Sequence, residues 1–124
     1  MNSEGKQLKF KFEDLIIWQK SMDMAEELCV IAKSFPKNED FNLTSQLCRA
    51  VGSIALNISE GAILQSKAEF SKFLGYAIRS LAEVVTCLHK ASRRKYISES
   101  QFNKYYKDCF DLMNMTIAFR NKLK

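Results

Sequence analysis

Apolar residues recur along this chain at three- and four-residue steps, the period of an amphipathic helix, in four separate stretches. In the first, Leu15, Trp18, Met22, Ala25, Cys29 and Ala32 form the predicted inward stripe, and Ile17, Met24, Leu28, Ile31 and Phe35 form a second stripe beside it. Together they cover about half the helix, more than one seam requires. Gln19, Asp23, Glu26 and Glu27 lie opposite. Asp14 is a candidate N-cap and Pro36 a stop, which predicts a helix from near Asp14 to about Ser34 and a loop over Lys37–Asn42. A second helix is predicted over Leu43–Ile63. Ser66 with Glu69, and Ser98 with Gln101, have the spacing of capping boxes. They open a third helix reaching about Arg94 and a fourth reaching about Lys122. Phe70, Leu74, Ala77, Leu81, Val84 and Leu88 give the third its core stripe, and Phe102, Tyr106, Cys109, Met113 and Ile117 the fourth. Long helices with short connections predict an all-α fold, an antiparallel up-down-up-down four-helix bundle. It forms one domain over residues 12–124, preceded by a flexible basic arm at residues 1–11 that carries Lys6, Lys9 and Lys11.

The second helix stands apart from the others. Between Leu43 and Ala62 only Arg49 and Glu60 are charged, whereas a helix on the surface of a lone small bundle should turn a broad polar face to water. On a helical wheel it resolves into three faces. Leu43, Leu47, Ala50, Val51, Ile54, Ala55 and Ile58 form the core face, and Gln46, Arg49, Ser53, Asn57 and Glu60 a narrow polar stripe. The third face, Ser45, Cys48, Gly52, Leu56, Ser59 and Ile63, is small or apolar and suits close packing against another subunit. Gly52 inside a helix costs roughly 1 kcal/mol relative to Ala, a cost that a close backbone approach would explain. Arg49 and Glu60 sit about 16 Å apart along the axis, so each needs a partner from elsewhere. An antiparallel third helix would bring Glu83 to Arg49, and Glu60 would meet a donor from another helix or subunit.

Composition narrows the class. The chain of 124 residues has only four Gly and one Pro, which favours long helices over a turn-rich β fold. Neither a secretory signal nor an apolar run long enough to span a bilayer is present, so a soluble, cytoplasmic protein with no membrane partner is expected. Cys29, Cys48, Cys87 and Cys109 lack any C-x-x-C pairing, which fits reduced, buried thiols better than a metal site. Charge is lopsided although the net is only +5. Residues 13–34 carry five acids against Lys20 and Lys33, and residues 66–95 carry seven Lys or Arg against Glu69 and Glu83, a polarity suited to docking or to a polyanion.

The chemistry-bearing positions are few. Lys72, Arg79, Lys90, Arg93 and Arg94 fall on one arc of the third helix opposite its core stripe, and Lys95 extends the cluster. Such an arc offers salt-dependent phosphate contacts without sequence readout, though a merely solvated basic face has the same pattern. Tyr96, Tyr105 and Tyr106 are of the type that stacks on bases, and equally of the type that packs a bundle. His89 is the one histidine, with Thr86 three residues before it, so the Glu-x-x-His pairs of a di-iron bundle are missing. With no glycine-rich phosphate loop and no nucleophile–base pair, no catalytic residue, metal or cofactor is assigned.

Three motifs carry a family resemblance. They are L-x-x-W-Q at Leu15, Trp18 and Gln19; Q-x-x-R-A-x-x-S-I-x-x-N-x-x-E-G from Gln46 to Gly61; and E-F-x-x-F-L-x-x-A with S-L-x-E from Glu69 to Glu83. In combination the chain resembles the four-helix-bundle family of 23S ribosomal RNA intervening-sequence proteins, closely over residues 10–90 and by pattern alone in the fourth helix. Asn42 stands where the family usually has Gly, Ala55 where Pro is frequent and Arg79 where Gly is frequent. The resemblance implies a ring-shaped oligomer, a homopentamer in known relatives, with no established enzymatic activity. Some relatives are encoded inside ribosomal RNA genes, and others are accessory proteins of diversity-generating retroelements. Implied partners are therefore RNA or DNA, or a protein such as a reverse transcriptase. An adaptor that binds a protein and has no nucleic-acid affinity is the alternative reading.

Overall fold

The computed structural model describes residues 8–64 and 66–123, so most of the expected N-terminal arm, Lys6 included, lies outside the described residues. Four helices account for most of them: α1 (Ile16–Lys33), α2 (Leu43–Ile63), α3 (Lys67–Arg93) and α4 (Glu99–Asn121), with no strand among the described residues. α1 packs on α2, α2 on α3 and α3 on α4, while α1 and α4 meet along a narrower seam. Among the described residues α1 does not touch α3, nor α2 α4. No helix among them is long and apolar enough to cross a membrane.

The helix ends follow local chemistry. Ser66 Oγ accepts the Glu69 N–H at 3.2 Å. At Ser98 both halves of a capping box form, with Ser98 Oγ accepting from the Gln101 N–H at 3.1 Å and Gln101 Oε1 from the Ser98 N–H at 2.9 Å. Asp14 is not the cap of α1. A 3-10 turn at Lys11–Asp14 precedes the helix, Leu15 takes the cap position, and Asp14 instead pairs with Lys9 at 2.8 Å. Gln19 Nε2 reaches back to the Glu13 carbonyl at 2.8 Å. Phe12 stacks on Phe10 and meets Trp18 edge-on, which lays this turn against α1.

The core is centred on α2. Leu43, Leu47, Ala50, Val51, Ile54, Ala55 and Ile58 are all buried, as its predicted core face requires, and each large aliphatic among them contributes roughly 1.5–3 kcal/mol by leaving water. The Leu74, Ala77, Leu81, Val84 and Leu88 stripe of α3 is buried too. In α1 and α4 the predicted stripes are turned aside. α1 buries Ile17, Ser21, Met24, Leu28 and Ala32, leaving Met22 exposed, and α4 buries Tyr105, Cys109, Leu112 and Thr116, leaving Tyr106 and Ile117 exposed. Each buried face includes a hydroxyl that reads as surface in the sequence. Ser21 Oγ donates to the Ile17 carbonyl at 2.6 Å and Thr116 Oγ1 to the Leu112 carbonyl at 2.7 Å, so each satisfies itself within its own helix and costs little to bury.

Close approach in α2 occurs at Gly61, not at Gly52. A Cβ on Gly61 would lie 2.7 Å from Phe73 Cβ and 2.9 Å from Phe70 Cδ1, whereas a Cβ on Gly52 would meet nothing within 4 Å. All four cysteines are free thiols. Cys29 and Cys48 face one another between α1 and α2, each Sγ 3.9 Å from the other's carbonyl oxygen, and burial above all pushes the Cys29 thiol up to about 12.

Candidate nucleic-acid interface

The basic arc of α3 is not uniform once its neighbours are in place. Arg94 is engaged by a buried carboxylate. Its Nη1 lies 2.9 Å from Glu39 Oε2, and the same oxygen accepts the Tyr96 hydroxyl at 2.7 Å. Glu39 Oε1 in turn accepts the Leu43 N–H at 3.4 Å, at the first turn of α2 where a negative charge is favoured. Glu39 is 6 % exposed, so Arg94 holds the α1–α2 connection onto the end of α3. The Tyr96 hydrogen bond is the chief cause that lowers the Glu39 carboxyl below its usual range, against burial and with help from Leu43 and Arg94. The same bond raises the Tyr96 phenol.

The other cations differ in their freedom. Lys72 is paired with Glu69 at 3.2 Å. Lys90 lies between α3 and α2, its ammonium donating to Gln46 Oε1 at 3.4 Å. Arg79 spreads over the Tyr76 ring, 5.2 Å from its centroid. Lys95 takes φ 62°, the left-handed residue that ends α3, with the Tyr96 N–H bonded to the Ala91 carbonyl and the Lys95 N–H to that of Ser92, so its position is fixed by a Schellman stop. Among the described residues no carboxylate lies within ion-pair distance of Arg79, Lys90, Arg93 or Lys95.

The polar stripe of α2 faces α3 and forms its seam. Ser53 Oγ lies 2.6 Å from Ser80 Oγ, and Asn57 Nδ2 bonds back to the Ser53 carbonyl at 2.8 Å. The expected Arg49–Glu83 pair does not form. Both side chains are exposed, where an ion pair is worth little against the entropy of holding two long side chains. Both still act on the Cys87 thiol between the helices, which burial raises, Glu83 raises further and Arg49 lowers. Glu60 is exposed at the far end of the stripe and has no cation at ion-pair distance among the described residues.

Of the three tyrosines, two serve the fold. Tyr96 holds Glu39, and Tyr105 is buried with its hydroxyl on Glu27 Oε1 at 3.0 Å. Only Tyr106 is outward, stacked on Phe102 at 5.5 Å with His89 edge-on to both. Sequence reading missed Glu39 and the Arg120–Ser71 hydrogen bond, 3.0 Å, that ties α4 to α3. Neither carries a local signal, since each partner comes from a distant helix or loop. Among the described residues no group of three or more His, Cys, Asp or Glu side chains is placed to hold a metal.

The sequence profile of the family described as 23S rRNA-intervening sequence protein matches residues 13–118. The chain belongs to this family. Its fold is similar to the crystal structure of a protein of unknown function from the S23 ribosomal protein family of Bacteroides thetaiotaomicron, with a TM-score of 0.79 and 24 % identity over 85 % of this chain and 98 % of that one. At that identity the likeness establishes the shared fold. No curated protein matches the chain.

Proposed function

We propose that this family member is a non-enzymatic subunit of a ring-shaped homo-oligomer, a homopentamer as in known relatives, that binds RNA or DNA non-specifically through the basic surface of α3. The observation that carries the reading is the set of cations left over after Arg94 and Lys72 are engaged. Arg79, Lys90, Arg93 and Lys95 lie along one outward arc with no carboxylate at ion-pair distance among the described residues. A ring repeats that arc in every subunit, and several weak phosphate contacts then add into useful affinity. The contacts of Cys29 with Cys48, His89 with Phe102 and Glu27 with Tyr105, each joining the later part of one helix to the early part of another, support an up-down-up-down bundle over residues 12–124. A cytoplasmic setting fits a polyanion-binding role and four free thiols.

Fluorescence anisotropy with labelled structured RNA and duplex DNA tests this reading. Binding at low salt should weaken by orders of magnitude between about 50 and 200 mM salt, and Arg79→Glu with Lys90→Glu should abolish it for both ligands. Absence of binding at low salt overturns the reading. A second reading, an adaptor for a protein such as a reverse transcriptase, is favoured by the large apolar side chains left in water on α2 and α4, Leu56 and Phe110 among them.

A further inference from the structure

Phe41, in the connection between α1 and α2, is the one aromatic ring among the described residues that lies wholly in water, at 100 % exposure. A single exposed apolar side chain is ordinary, and it is the setting of Phe41 that sets it apart. The backbone on either side is fastened. The Asp40 N–H bonds to the Lys37 carbonyl at 3.1 Å and the Asn42 N–H to that of Glu39 at 2.9 Å. Glu39 is buried and held by Arg94, Tyr96 and the Leu43 N–H, while Phe35 packs on the Tyr96 ring with 5.2 Å between centroids. A connection pinned to the end of α3 thus presents the ring with both faces open.

Two contacts place that ring where the basic arc ends. Lys90 donates to Gln46 near the start of α2, and Arg94 donates to Glu39, two residues before Phe41. Two residues of chain reach at most about 7 Å, so the Cα of Phe41 lies no further than that from the Cα of Glu39. Lys95 stands between the two residues that grip Glu39, Lys33 ends α1, and Lys37 opens the connection. The opposing carboxylates at this end are Asp40 and Glu99, since Glu39 is engaged by Arg94 and Tyr96.

We infer that Phe41 is a stacking platform for an unpaired base, so that the basic surface prefers a single-stranded stretch of RNA or DNA to a duplex. Cations that track a phosphate backbone beside an open aromatic ring are the pairing that binds single strands. A duplex keeps its base faces stacked inside and offers such a ring nothing. Stacking needs no base identity, because every base has a π-face, and so the contact stays non-specific in sequence. Tyr106, the other outward ring of this type, is already stacked on Phe102 and has one face taken. The inference rests on the nucleic-acid reading of α3 and adds to it the strand state of the ligand.

Fluorescence anisotropy at about 50 mM salt, with labelled single strands of RNA and of DNA and a duplex of the same length, tests the preference. Wild type should bind the single strands more tightly than the duplex. Phe41→Ala should weaken single-strand binding roughly five- to 150-fold and leave duplex binding unchanged. Phe41→Trp should keep the wild-type affinity, with its indole fluorescence quenched by a single strand beyond the Trp18 signal of wild type. Because Phe41 is fully exposed, each variant should keep the wild-type circular dichroism and urea midpoint. No binding of any ligand by wild type overturns the nucleic-acid reading and this inference together. Single-strand binding that Phe41→Ala leaves unchanged overturns the inference alone and returns the ring to the adaptor reading. An equal loss of duplex and single strand also overturns it, since a base platform does not touch a duplex. A changed subunit number for Phe41→Ala in native mass spectrometry overturns it as well, and assigns the ring to a subunit contact.

Discussion

Gly61 shows what a single hydrogen atom in place of a methyl group does in this fold. Phe70 and Phe73 of the next helix crowd the place a Cβ would take, so α3 folds back onto α2 where the chain has no side chain. Gly61→Ala would put a carbon 2.7 Å from the backbone-anchored Phe73 Cβ, which no rotamer change relieves. The expected loss is about 1–3 kcal/mol of unfolding free energy, read from urea melts, as for other overpacked sites. The sequence points to Gly52 as readily as to Gly61, because both interrupt the same apolar run. What separates them is the identity of the facing residue, and that is set by the register of α3 on α2. Such a register is a long-range property which no window of the sequence contains. The aromatic pair at Phe70 and Phe73 becomes meaningful only once α3 folds back.

At the scale of elements, the face that α2 buries was readable, and the faces that α1 and α4 bury were not. α2 has one broad apolar face of Leu, Ile, Val and Ala, and periodicity assigns it without competition. α1 and α4 each carry two adjacent apolar stripes, so the period is right whichever stripe faces the core. Ser21 and Thr116 then tilt the choice the wrong way, because a hydroxyl that bonds its own helix looks polar in sequence and behaves as filler in the core. The Glu39–Arg94–Tyr96 anchor was likewise invisible, being assembled from a loop and the far end of α3. It makes a pH prediction. The Glu39 carboxyl is lowered from 4.5, so its stabilisation is complete above that pH and is lost as pH falls through the folded value. The Tyr96 phenol is raised from 10.0, so its contribution is complete below pH 10 and is lost as pH climbs through the folded value. Thermal melts should therefore show a plateau between these limits with a fall at each edge. Glu39→Gln should lower the plateau and flatten the acid edge, and Tyr96→Phe should flatten the alkaline edge.

For the whole molecule, the four helices do not share the core equally. α2 buries nine residues along its 21, including Leu43, Leu47, Val51, Ile54 and Ile58, and it packs on both α1 and α3. α4 buries only Tyr105, Cys109, Leu112 and Thr116 along its 23, and its seam with α1 is the narrowest in the fold. Local opening follows such differences, since an element with few buried apolar contacts separates from the rest at small cost. Amide hydrogen exchange should accordingly rank α2 the most protected helix and α4 the least in a subunit standing alone. The outer face of α4 is also where Phe110 and Ile117 meet water, so a neighbour seated there would supply the burial that the subunit's own core withholds. Under the proposed ring assembly, exchange from α4 in Phe110→Glu should run faster than in the wild type, while α2 amides that bond inside the core change far less. Equal rates in α4 for the two proteins would mean that its outer face is open in both. The helix would then owe its protection to its four buried side chains alone.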